Sequence, residues 1–301
     1  MTQHQNALKV NWSAPAVLLV GLLFSLLVVS LQASEDKNYG LLWEVSKPGF
    51  EAAYLFGTIH SEDPEVLKLA QPVQQAIDRS DTVVLEMLLD VEAMMYSSVA
   101  MLMPDGRVLS GIIGEPLFQQ TALAIQSRGI PEIVLERMKP WAAAVTLSMP
   151  ASKTGQVLDM MLYQNALQQG KVVHGLETIQ EQLNVFESLS EADQISMLEE
   201  AVENFPDLDA MYADLLDAYK QRDLAGLMAL NEASMKAGDP QLADEFQQRL
   251  IIDRNHRMSE RMQQYLQQGK VFVAVGALHL PGEDGLLNLL EQQGYTVRRV
   301  Y

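Results

Sequence analysis

The sequence predicts an α/β fold: a central mixed sheet with two similar strand–Gly-x-x-His–helix–strand units and a large helical insertion. Three observations carry this. Valine-rich runs recur, at TVVLEM, KVVHGLE and VFVAVG, with the composition of half or fully buried strands. Between them lie long stretches with apolar residues at helical spacing. One short phrase also occurs twice, as YLFGTIHS (54–61) and VAVGALHL (273–280). Each is an apolar run that ends in glycine, two residues and histidine, in a chain with only five histidines.

In chain order, the first element is a leader. MTQHQNALKVNW carries Lys9, and residues 13–33 then run without a charge. Residues 1–33 read as a secretory signal peptide or an uncleaved N-terminal membrane anchor. Ala33 and Ser34 are small enough for a cleavage point, and a run of roughly 20 apolar residues is long enough to span a bilayer. Both readings export residues 34–301, leaving them periplasmic or tethered to the inner membrane on its periplasmic side.

LLWEV (41–45) and AYLFG (53–57) flank a Pro-Gly turn and read as a hairpin. PEVLKLAQPVQQAIDRS places Val66, Leu69, Val73, Ala76 and Ile77 at helical spacing, with Pro64 suited to a first turn and Pro72 expected to bend or divide the helix. TVVLEM (82–87) and KVVHGLE (171–177) are further strands, separated by a mainly helical stretch. A larger helical block runs from about 177 to 268, with breaks expected at Asn204–Asp207 and Gly238–Pro240 and a stop at Gly269. VFVAVG (271–276) and YTVRRVY (295–301) then return to the sheet. The organisation is one domain, 34–301, with a helical insertion at about 88–268.

Composition bounds the function. Hydrophobic residues make up 48%, enough for a sizeable core. A net charge of -18 argues against nucleic acid as a partner and is no obstacle to divalent cations or uncharged substrates. The absence of cysteine excludes disulfides, thiolate metal sites, cysteine nucleophiles and lipidation on cysteine. HExxH, GxSxG, P-loop and Rossmann fingerprints are also absent.

The two Gly-x-x-His phrases share an order: strand, phrase, acidic loop with proline, helix, strand. Side by side, they would bring His60 and His279 to one sheet edge, past the carboxyl ends of their strands, where ligands of α/β sheets bind. Glu86 sits between Leu85 and Met87 at another strand end. A carboxylate there is costly unless it is paired or metal-bound. His60, Glu86 and His279 would offer two nitrogens and an oxygen to zinc, manganese, cobalt or iron, and pairing of Glu86 with a structural arginine is the competing reading. Arg254 and Asn255, in DRNHRM, fit either a solvated helix face or the site, and His256 and Glu260 are an ordinary one-turn pair. His174 and Glu177 flank Gly175 at a strand end, which allows Glu177 into the site. Met94, Met95, Met101 and Met103 suit core packing or an apolar substrate groove.

The chain resembles the TraB/GumN family, which includes the Tiki proteases and is related in fold to erythromycin-esterase-like and haem-binding ChaN-like proteins. The resemblance runs from about 40 to 301. It rests on LLWEV…AYLFGTIH, VVLEM, KPW (139–141), GKVVHGLETIQEQL, DRN (253–255) and VGALHLPGEDGLLNLLEQQGYTV. It implies metal-dependent proteolysis, with His60, Glu86 and His279 as the core of a site for a divalent transition metal (Mn, Co or Zn). It also gives Arg254 and Asn255 a catalytic role in holding substrate or an oxyanion, and makes Glu177 a second substrate-binding candidate. The expected activity is that of an exported metal-dependent hydrolase acting on peptides or another small substrate. The alternatives are a haem- or metal-binding protein, or a peptide-sequestering protein, without hydrolysis.

Overall fold

The computed structural model describes residues 36–104, 106–235 and 240–301. The leader lies outside the described residues, as do Gly238 and Asp239 of the second expected break. From Lys37 to Tyr301 the chain forms one unit.

Six strands form one mixed sheet: β1 (Leu42–Ser46), β2 (Ala53–Thr58), β3 (Thr82–Met87), β4 (Val172–Glu177), β5 (Val271–Gly276) and β6 (Thr296–Arg299), in the order β4-β3-β5-β2-β1-β6. β1 and β2 are the expected antiparallel hairpin, and β6 runs antiparallel to β1 along one edge. β4, β3, β5 and β2 are mutually parallel. The valine-rich β3 and β5 sit in the middle of this parallel half. Val83, Val84, Leu85 and Val271 to Val275 are buried there, as expected for strands covered on both faces.

This topology positions the site. Four parallel neighbours present their carboxyl ends on one side of the sheet. Gly57 pairs with Val275 and Thr58 with Gly276, so the two Gly-x-x-His phrases leave adjacent strands in nearly the same register. Glu86 lies near the end of β3, beside β5, and Glu177 ends β4, opposite Met87. The two units diverge afterwards: β3 lies beyond β5, whereas β6 crosses to the opposite edge.

Proline sets the helical punctuation as expected. Pro64 and Pro72 lie in the first turns of separate helices, Pro64–Leu67 and Gln71–Asp78. Phe205–Asp207 is a 3-10 turn between Glu191–Asn204 and Leu208–Lys220. The last long helix is interrupted. Pro240–Gln247 passes into a π-turn at Gln248–Ile252 before Asp253–Leu266, and Gly269 (φ 74°) follows its end. Such π-turns concentrate at functional sites, and this one immediately precedes Arg254.

There are two apolar cores. One surrounds the sheet. The other lies within the helical block, where Phe118, Ile125, Leu135, Trp141, Leu147 and Leu198 are buried together. Lys139-Pro140-Trp141 belongs to the second core: Pro140 starts a helix, the Trp141 indole N–H donates to Glu187 Oε2 at 2.8 Å, and Lys139 pairs with the same carboxylate. Met103 is buried in this core, whereas Met94 and Met95 are exposed on Val91–Ala100. No helix among the described residues is long and apolar enough to cross a membrane.

Candidate functional site

Glycine at the head of the first phrase is a steric requirement. A Cβ on Gly57 would lie 2.8 Å from Leu280 Cδ1 and 3.1 Å from Ala277 Cα, so only glycine lets the two phrases pass so closely. A Cβ on Gly276 would sit 3.4 Å from the His279 ring and 3.5 Å from Glu86 Oε2, in the space between those two groups.

His279 follows β5 on a short 3-10 turn and is buried. Its Nδ1 lies 2.7 Å from Asn255 Oδ1. The Asn255 amide nitrogen donates to the Asp284 carbonyl at 2.8 Å, which can only accept, so the Asn255 oxygen faces the ring and Nδ1 carries the hydrogen. The Nε2 lone pair is left facing Glu86 Oε2 at 3.8 Å. Burial lowers the imidazole pKa to about 4, so the ring is neutral near pH 7.

His60 follows β2 and is open, with its side chain 60% exposed. Its Nδ1 lies 2.7 Å from Asp159 Oδ2, and Thr58 donates to the other Asp159 oxygen at 2.8 Å. The hydrogen bond to Asp159 raises the imidazole pKa to about 9 against the opposing effect of desolvation. The backbone around it is fixed too: Tyr212 donates its hydroxyl to the His60 carbonyl at 2.9 Å.

Glu86 lies between charges and donors. One oxygen accepts from Arg254 Nη2 and from Gln182 Nε2 at 3.0 Å, the other from the Gly276 N–H at 2.9 Å. Burial works against its ionisation but is outweighed, and the carboxyl is held down at about 2. With His279 neutral, the lasting causes are the Arg254 charge, the Gly276 N–H and the His60 charge. Arg254 also donates Nε to Glu177 Oε2 at 2.9 Å and Nη1 to the Leu250 carbonyl at 3.3 Å. Its pKa is raised: the two carboxylates outweigh desolvation. Glu177 is fully buried and is paired with Arg257 as well.

The structure thus gathers Glu86, Arg254 and Glu177 into one bonded network, with the hydrogen-bonded His279–Asn255 pair beside it, its Nε2 3.8 Å from Glu86, and with His60 near enough to act electrostatically on Glu86. The placement changes several expected roles. Asn255 is fully buried with both ends of its amide engaged, so it orients His279 rather than meeting an oxyanion. The Arg254 guanidinium is committed to Glu86, Glu177 and a carbonyl, and Glu177 lies beneath two arginines. These are positioning groups. The pairing of Glu86 with an arginine is realised. His174 stacks on Tyr265 and stays outside the network, and His256 pairs with Asp284 on the exposed helix face.

Asp159 was missed, although its signal matched that of Glu86: a lone carboxylate inside an apolar run, VLDMML. It occupies the first turn of Leu158–Gln168 and is buried. The preceding loop is tied to the histidine strand by Glu62, whose carboxylate accepts from the Ser152 hydroxyl and from the backbone N–H groups of Lys153, Thr154 and Gly155.

The donor chemistry fits a metal in part. Both imidazoles have Nδ1 engaged by a side-chain oxygen, the arrangement that orients and polarises metal-binding histidine; the Nε2 of neutral His279 has a lone pair to offer, and that of His60, raised to about 9, must lose its proton first. Glu86, however, has both oxygens occupied by N–H donors. No group of three His, Asp or Glu side chains among the described residues is close enough to hold an ion as it stands.

Residues 41–299 match the TraB/PrgY/gumN family, and the chain belongs to it. Similar proteins include Metalloprotease TIKI2 of Danio rerio, 25% identical over 88% of this chain and 61% of that protein. Metalloprotease TIKI2 of Xenopus tropicalis is 25% identical over 88% and 60%, and the Metalloprotease TIKI homolog of Nematostella vectensis 23% over 89% and 69%. The chain thus spans about three fifths of the length of the TIKI2 relatives. No solved structure matches.

Proposed function

We propose that the chain is an exported metal-dependent hydrolase that cleaves peptide bonds. The observation that carries this is the oriented pair of imidazoles. His60 and His279 follow neighbouring parallel strands, each has Nδ1 held by an oxygen, from Asp159 and Asn255, and the His279 Nε2 lies 3.8 Å from the Glu86 carboxylate. The metalloprotease names of the relatives support the same reading. The free nitrogens of His60 and His279 would hold a divalent transition metal, with Glu86 as the neighbouring carboxylate. When bound, such an ion polarises a carbonyl and lowers the pKa of a water.

The chain's own residues do the rest. Asp159 and Asn255 fix ring orientation and tautomer. Glu86, held at about 2, stays ionised at any working pH and is too weak a base to take a proton efficiently near neutrality. In the metal-free chain it is therefore a fixed negative charge near neutral pH. Arg254 keeps it ionised. Export rests on the charge-free run at 13–33, and fractionation of cells expressing the tagged chain tests it.

The experiment for the site is elemental analysis of the purified chain together with cleavage of a mixed peptide pool. One bound transition metal is expected, with occupancy reduced in His60→Ala and His279→Ala. Equal metal content in parent and variants would remove the metal from the proposal. Retained metal without cleavage would favour binding without turnover.

A further inference from the structure

The helical block carries an apolar groove that the site described above does not use. It has a volume of about 360 Å3, within the range of small-molecule pockets, about 300–1,000 Å3. Leu147, Phe186, Met197, Met211, Tyr212 and Leu250 line it, from five separate segments. Phe186 is stacked on the buried Trp141, at 5.6 Å between ring centroids, which makes that wall rigid. Met197 and Met211 supply flexible, polarisable surface that adapts to the shape of an apolar guest.

Two lining residues connect the groove to the catalytic network. Tyr212 faces the groove and donates its hydroxyl to the His60 carbonyl at 2.9 Å. Leu250 faces the groove from the π-turn, and its carbonyl accepts from Arg254 at 3.3 Å. The groove therefore abuts the centre on the His60 side and on the Arg254 side. A packing flaw in the helical core has no reason to end on both. Glu200 adds a carboxylate to the wall, with its pKa raised by burial and by the nearby charge of Glu203. A second carboxylate entering here would meet repulsion and desolvation together.

We propose that this groove is the specificity subsite of the His60–Glu86–His279 centre, and that it receives a large apolar side chain (Leu, Met or Phe) of a peptide, next to the bond cleaved. The inference rests on the peptidase reading and deepens it by naming the class of substrate.

The test is a fluorogenic peptide series in which one position at a time carries Leu, Phe, Ala or Glu, assayed on the full chain loaded with manganese, cobalt or zinc. One position should favour Leu and Phe over Ala by at least tenfold in kcat/KM, the usual worth of a few buried methylenes, with Glu poorest. Met211→Lys should abolish that preference, with kcat/KM for the Leu and Phe peptides falling at least tenfold, to the level of the Ala peptide. Met211→Trp, which fills the groove without a charge, should act alike. A second readout is binding of the Leu peptide with its scissile amide reduced, which should weaken about tenfold in both variants.

Cleavage indifferent to the residue at every position would overturn the subsite and leave the peptidase reading intact. Binding that depends on Met211, with no peptide cleaved, would support the groove as the apolar receptor and remove the peptidase reading. Binding unaffected by either variant would overturn the subsite.

Discussion

His60 and His279 close the same four-residue phrase on adjacent parallel strands, yet they reach opposite chemical states. His279 is buried, hydrogen-bonded to a neutral amide and lowered to about 4. His60 is open, hydrogen-bonded to a carboxylate and raised to about 9. Strand and glycine place the ring in both cases. Burial decides the charge at His279 and a carboxylate on Nδ1 decides it at His60, while the residue that meets each Nδ1 arrives from another element: Asn255 from the last long helix, Asp159 from the helix that precedes β4. A repeated motif therefore fixes position, while its partners divide the labour.

The largest effect should come from breaking the buried side. Arg254→Ala leaves Glu86 and Glu177 without their shared cation in a largely desolvated place, and removal of one partner of such a network costs about 3–5 kcal/mol. A urea unfolding midpoint shifted by much less would mean that water enters the network. Next is Asn255→Ala, which leaves the His279 Nδ1–H buried and unsatisfied, at a cost of about 1–3 kcal/mol. Asn255→Asp sharpens the comparison further, because it gives the buried ring the partner type of the open one. The His279 imidazole should then titrate well above 4, as followed by NMR of the ring protons. An unchanged titration would show that burial alone sets its state.

The open side should respond in ionisation more than in stability. Asp159→Asn should bring the His60 pKa down from about 9 toward the ordinary imidazole value and lower the unfolding midpoint near pH 7, by less than Arg254→Ala does. If metal binding is measured alongside, affinity should fall about 10–100-fold, the usual consequence of losing the group that orients a ligand.

The two rings also pull the pH profile of the metal-free protein from opposite ends. His279 is lowered in the folded state, so the unfolded chain binds more protons between its ordinary value of 6.5 and about 4, and stability falls as pH drops through that window. Glu86, held at about 2 against an ordinary 4.5, adds to the loss below pH 4.5. His60 is raised, so its contribution is complete below 6.5 and lost as pH rises through 9. Unfolding midpoints at pH 5, 7 and 9 should show both limbs, with Asp159→Asn flattening only the alkaline one. This is the smallest of the expected effects, because His60 is solvent-screened. A variant that flattened the acid limb instead would reverse the attribution.

The strands were legible in the sequence because β-branched runs bounded by turn residues have few other uses. The six runs correspond to the six strands within a residue or two, and β3 and β5 coincide with TVVLEM and VFVAVG. His60, Glu86 and His279 were legible because each is a chemically exposed choice at the end of an apolar run. Less was visible in residues that act through others. Asp159 lies 99 positions from His60. Asn255 was marked by its motif, but its buried role depends on the Asp284 carbonyl and the His279 ring. The groove draws on segments spread over about a hundred positions, and no local pattern links Leu147 to Leu250.

The order of strands and helices and the choice of imidazole at two strand ends follow from the sequence alone, because each depends on local chemistry and on the period of burial. The protonation of each ring, the commitment of Arg254 to two carboxylates and the opening of an apolar groove beside them were decided by the tertiary structure. Charge and solvation depend on what surrounds a group within a few ångströms, and here those neighbours come from distant parts of the chain.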